Sequence, residues 1–240
     1  IFGNGGSSVL LLASGHGTIF DLSNFYRGQL HDLAFIEETP PAVSNDPVIV
    51  LTTGNYGMFY NICVTNVKNF LKIGGDDPSD PGYMTTIENV FGIVTGNFIN
   101  LTGCRNVTYI HNVSINSEPE YSSTVAIAIN DIRGLDTLVI SDSIFQRFYY
   151  GFAINQSDVT ITTSNIWLDN VVFDNIYTRG IVGNIKGKLY RLFINNTWVS
   201  MISGSYEAIL LQTTDASAKI DTVYIENCKI PFCYQYAIHI

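Results

Sequence analysis

Asp131, Asp158 and Glu120 are the residues of this 240-residue chain best placed for acid–base chemistry. Cleaving a glycosidic bond takes two carboxyl groups, about 5–5.5 Å apart for retention and ~6.5–9.5 Å apart for inversion. Asp131 and Asp158 each follow a short apolar stretch. Glu120 stands in the polar run Asn116 to Ser123, just upstream of the stretch that precedes Asp131. Asp76 and Asp77, in the loop Gly74 to Gly82, and Glu118 and Glu207 are further acids suited to binding a polar substrate. Aromatic side chains crowd the same kind of position: Tyr149, Tyr150, Trp198 and Tyr206 foremost, with Tyr121, Phe148, Tyr177, Tyr234 and Tyr236. Sugar rings present apolar C–H faces, for which Tyr and Trp are stacking platforms with a polar handle. The four histidines form no recognisable triad with Ser and Asp. Cys63, Cys104, Cys228 and Cys233 match no zinc spacing. Neither a metal site nor a cofactor is predicted.

These residues need elements to position them, and one short phrase supplies the elements. Apolar–x–Asn (or Asp) recurs with its polar residue at 66, 89, 112, 142, 175, 196 and 227, at gaps of 23, 23, 30, 33, 21 and 31 residues. A strand-sized motif returning at such intervals marks a solenoid. Upstream of each Asn the apolar residues alternate, as in Leu138/Ile140, Leu192/Ile194 and Val223/Ile225. That period of two belongs to a strand with one face in a core. Asn tolerates the left-handed backbone region and so suits a sharp corner. With coils stacked at ~4.8 Å, corner amides lie one above another and bond along the stack.

A second strand, the return strand, recurs at Phe70–Ile73, Phe98–Leu101, Val125–Ile129, Phe152–Ile154, Ile181–Ile185, Ile209–Leu211 and Ala237–Ile240. A short apolar stretch lies between each corner and the return strand. Three strands per coil and no amphipathic helix predict an all-β fold: a right-handed, single-stranded parallel β-helix of about eight coils with an Asn ladder. The Asn corner never grows a loop, whereas long loops flank the return strand on both sides. The return strand is therefore the expected floor of a groove, and the acids and aromatics lie on its walls.

Composition narrows the classes. Hydrophobic residues are 46% and charged residues 14%, which excludes a disordered chain, and a net charge of −9 argues against nucleic acid as a partner. The apolar run Val9 to Ala13 is too short for membrane insertion. The chain opens at Ile1 and stops within a strand pattern, so it reads as part of a longer protein. Residues 1–29 form an opening cap and 30–240 the β-helix. Three residues before each Asn, at an outward position, stand Cys63, Thr86, Tyr109, Val139, Val172, Phe193 and Tyr224. An exposed apolar stripe implies burial against another subunit or domain.

The Asn column and strands such as Gly151-Phe152-Ala153-Ile154 resemble the pectate-lyase-like right-handed β-helix superfamily, over roughly residues 30–240. Low charge, uneven coils and many Ser, Thr and Asn make the chain most similar to a phage tailspike or receptor-binding protein. The resemblance implies a polysaccharide bound beside the return strand, a virion-tail or extracellular location, and a homotrimer through Tyr109, Val139, Val172, Phe193 and Tyr224. It implies recognition, and depolymerisation by glycosidase or lyase chemistry, of a bacterial surface polysaccharide. A non-catalytic adhesin and a secreted polysaccharide lyase or hydrolase are the alternatives. The paired acids of polygalacturonases and the calcium-binding acids of pectate lyases are unmatched: Asp76-Asp77 sits in a Pro-bounded loop, and Arg105 and Arg133 have no acid cluster. No specific enzyme activity is carried over.

Overall fold

Alternation of β-branched and aromatic residues with polar ones dominates the chain, and strands follow from it. The computed structural model describes residues 8–13, 16–22, 26–37, 46–52, 56–74, 84–118, 124–131, 134–202, 206–231 and 236–240. Strands are numbered along the chain. One sheet holds, in spatial order, β1 (Val9–Leu12), β3 (Gly28–Glu37), β5 (Gly57–Val67), β7 (Thr85–Val94), β9 (Cys104–Ser117), β11 (Leu135–Gln146), β13 (Thr162–Ile176), β15 (Lys188–Asn195) and β18 (Lys219–Glu226). β16 (Trp198–Met201) also pairs with β13. The second sheet holds β2 (Phe20–Asp21), β4 (Ile49–Leu51), β6 (Leu71–Ile73), β8 (Ile99–Leu101), β10 (Val125–Asp131), β12 (Tyr150–Gln156), β14 (Arg179–Ile185), β17 (Ile209–Thr213) and β19 (Ile238–His239). The strand pairs are parallel, and the described residues contain no helix. The chain is a right-handed parallel β-helix of about seven turns.

From β3 to β13 the strands before and after each corner run on as one strand, and in the next coil the corner parts β15 from β16. Each coil therefore has three faces but only two sheets, one of them folded along the corner. The register identifies the corner residues as Asp32, Asn61, Asn89, Asn112, Asp142, Asn170, Asn196 and Asn227, all with φ between 48 and 55°. Two members of the expected ladder are thereby corrected. Asn66 and Asn175 also have left-handed backbones, with φ of 60 and 53°, but each lies five residues past the true corner, near the end of its strand. Amides bond along the column: Asn61 Nδ2 donates to Asp32 Oδ1 at 3.0 Å, Asn89 to Asn61 at 3.1 Å, Asn112 to Asn89 at 2.6 Å and Asn170 to Asp142 at 2.7 Å.

The core is a column of inward Ile, Val, Leu and Phe. Phe35, Phe70, Phe98, Phe145 and Phe173 follow one another along the axis at centroid distances of 5.4–6.2 Å and are fully buried. Ala126, Gly151, Gly180 and Ala208 form a column of small residues at the start of the return sheet. A methyl group at Gly151 would meet the Phe173 ring at 2.5 Å, and one at Gly180 would meet Val199 Cγ1 at 2.2 Å. These small residues let the folded sheet close against the return sheet, and they fix where the next residues outward must stand. Residues 9–12 and 20–21 already pair within the two sheets as β1 and β2.

Candidate functional site: a trough on the return sheet

The outward positions of the return strands align in three columns. The middle column is Ala128, Ala153, Val182, Leu210 and His239. Ala153, Val182 and Leu210 point away from the core, yet they are only 2, 6 and 7% exposed. Residues on either side shelter them. The result is a cleft of about 290 Å³ with an apolar floor.

One wall is aromatic and charged. Val125, Tyr150 and Arg179 align in register, each three residues before a residue of the middle column. Tyr149 packs edge-on to Tyr150 at 4.8 Å and stacks on Tyr177 at 5.5 Å. Arg179 donates from Nε and Nη2 to Glu207 Oε2 at 3.1 and 2.9 Å, and its guanidinium lies 5.1 Å from the Tyr206 ring centroid. His239 Nδ1 is 3.8 Å from Glu207 Oε1. Glu207 is held below the usual carboxylate range by its own backbone N–H and by Arg179, with burial opposing. Burial, and then the neighbouring Tyr150, Tyr206 and Tyr177, push the Tyr149 phenol up. Arg179 is thus neutralised, and Glu207 presents an anionic acceptor rather than a proton donor.

The other wall is a row of amides. Asn130 Nδ2 donates to Asn100 Oδ1 at 3.0 Å, Asn155 to Asn130 at 3.3 Å, Asn184 to Asn155 at 2.9 Å, and Gln212 Nε2 to Asn184 at 2.7 Å. Asn130, Asn155 and Asn184 each use one N–H and one lone pair along the row. One donor and one acceptor position per amide remain for other partners. The row repeats at the strand spacing of ~4.8 Å.

Of the residues singled out in the sequence, Tyr149, Tyr150, Tyr206 and Glu207 stand together on the aromatic wall. Trp198 does not join them; it lies in β16 on the folded sheet, in register with Val172, with Lys229 Nζ 6.0 Å from its ring. Phe148 is fully buried in the core. Asp158 sits in the turn after β12, where the Thr160 N–H and hydroxyl hold its carboxyl low, each at 2.9 Å. Glu118 directly follows β9 and forms a half-exposed ion pair with Arg147 at 3.7 Å. Asp131 pairs through its backbone with Gln156, and its side chain lies outside the description. Asp76, Asp77, Glu120, Tyr121, Arg133 and Tyr234 lie outside the described residues.

Arg179, His239 and the amide row are what sequence reasoning missed. A signal for the row was present: Ile129-Asn130, Ile154-Asn155 and Leu211-Gln212 each close a return strand with an amide. Arg179 and Glu207 are 28 residues apart and meet only because one coil intervenes.

The class of protein so defined is a parallel β-helix with an elongated trough on its return sheet. A scan against protein-family models, a search of curated proteins and a search of solved structures each found no match.

Proposed function

We propose that this β-helix recognises a bacterial surface polysaccharide, held along the return-sheet trough, as a tailspike-type or other extracellular receptor-binding protein does. The observation that carries the reading is the sheltered floor of Ala153, Val182 and Leu210 between a tyrosine wall and an amide row. Apolar floor and tyrosine rings suit the C–H faces of pyranose rings, and the amides suit their hydroxyls. Glu207, anionic and oriented by Arg179, suits a hydroxyl donor.

The test is incubation with a panel of capsular and O-antigen polysaccharides, read by binding and by product length. Binding by the unaltered chain that weakens at least tenfold in Tyr150→Ala and in Asn184→Ala supports the reading. Binding that survives both substitutions unchanged, or no binding to any glycan, counts against it. Shortened products would add cleavage to recognition.

A further inference from the structure

The folded sheet carries a second organised surface, away from the trough. On its strands before the corner, Tyr109, Val139, Trp167, Phe193 and Tyr224 form one outward column. This corrects the stripe read from the sequence. Val172 is not in it, because Val172 follows the corner and pairs with Ile144 and Trp198, and Trp167 takes its place. Trp167 and Phe193 stack at 3.7 Å and Phe193 and Tyr224 at 5.1 Å, so the rings form a spine along the helix axis. Trp167 is 42% and Tyr224 58% exposed.

Charge is sorted about this spine. Arg191 stands two residues before Phe193, with Lys188 and Lys219 further to the same side; Asp221 is the one anion on that side in the last three coils. Asp169 and Glu226 stand two residues after Trp167 and Tyr224, on the opposite side. All six charged residues are exposed. Between the spine and the acids runs a cleft of about 310 Å³, lined by Trp167, Phe193, Tyr224, Asp169, Asn195 and Glu226.

We infer that this face binds a second copy of the chain about a two-fold axis parallel to the helix axis. Such an axis lays spine on spine and exchanges the two sides at constant height. The partner's Arg191 then enters the cleft level with Asn195, between Asp169 one coil before and Glu226 one coil after. The other two-fold in the plane, which sets the helices antiparallel, places the basic strip against itself when centred on Phe193 and is repulsive there. Arg191 and Asn195 lie equally far from Phe193, so one isologous contact satisfies both sides at once. The five-strand spine spans four coil steps of ~4.8 Å and about seven residues of ~3.3 Å, roughly 450 Å² per copy.

Sedimentation equilibrium at micromolar concentration tests the inference, with twice the chain mass of 26.6 kDa expected. Arg191→Glu should weaken the dimer at least tenfold, and adding Asp169→Lys and Glu226→Lys should restore it. Direction is read by cysteine bridging, with the unaltered chain run beside each variant to report bridging by native thiols. Tyr109→Cys and Tyr224→Cys should each bridge to its own copy under mild oxidation. A monomer, a mass of three chains, or bridging only in a mixture of the two cysteine variants would overturn it. If the charge-reversed chains misfold, the cysteine pair alone decides.

Discussion

Asn89 offers a sharp test of why the helix turns where it does. Its backbone has φ 54°, its side chain donates to Asn61 Oδ1 at 3.1 Å, and it accepts from Asn112 Nδ2 at 2.6 Å. Replacing Asn89 by Ala removes both bonds, at about 0.5–1.5 kcal/mol each, with the low end apt for half-exposed groups. It also places a Cβ in the left-handed region, at roughly 1–2 kcal/mol. The expected loss is about 2–4 kcal/mol. Asn89→Gly loses the same bonds but not the backbone term. In an ordinary strand Ala is more stable than Gly by about 0.5–1 kcal/mol. At this corner the order should invert, with Gly the more stable. The assay is urea unfolding followed by far-UV circular dichroism, with hydrogen exchange over residues 85–94 to localise the change. A solenoid couples mainly to its nearest neighbours, so lost protection should concentrate in the adjoining coils. An Ala variant as stable as the Gly variant would refute the claim that the left-handed backbone selects Asn here.

Three further outcomes follow from the trough and its foundations. Gly180→Ala should destabilise by about 1–3 kcal/mol, since overpacking by one methyl meets Val199 Cγ1 at 2.2 Å, and Gly180→Ala with Val199→Ala should recover part of that in thermal unfolding. The folded-state carboxyl of Glu207 is depressed, so its ionisation stabilises fully above the unfolded value of ~4.3. That contribution is lost as pH falls through the lower folded value; the acid limb of a stability–pH curve should flatten in Glu207→Gln. Arg179→Lys should loosen the Glu207 wall, because a lysine ammonium lacks the rigid planar fork that aims Nε–H and Nη2–H together at Oε2. Tyrosine near-UV dichroism should weaken in that variant while far-UV dichroism stays unchanged.

Much of the architecture was written in local chemistry. Alternating apolar residues, left-handed Asn corners and the absence of helical periodicity sufficed for a parallel β-helix with a return sheet. They also set Tyr149, Tyr150, Tyr206 and Glu207 just before a return strand, but the same reading put Phe148 and Trp198 there, and those lie in the core and on the folded sheet. The register was another matter. Asn61 and Asn66 lie in one strand, both at positive φ, both followed by an apolar residue, and Asn170 and Asn175 repeat the ambiguity. Nothing local separates them, because each satisfies the same backbone preference. Pairing between coils does: only Asn61 brings Ile62 against Val90, and only Asn170 brings Leu168 and Val171 against Ile140 and Ser143. The same five-residue offset hid Trp167 from the outward stripe. Contacts made one coil apart, such as Arg179 with Glu207 and the bonds of the amide row, join residues 25–30 apart in the chain. Their partners are set by coil length, and coil length varies with loops whose sequences carry no register. Local preference decided that the chain winds, and stacking decided which residues meet.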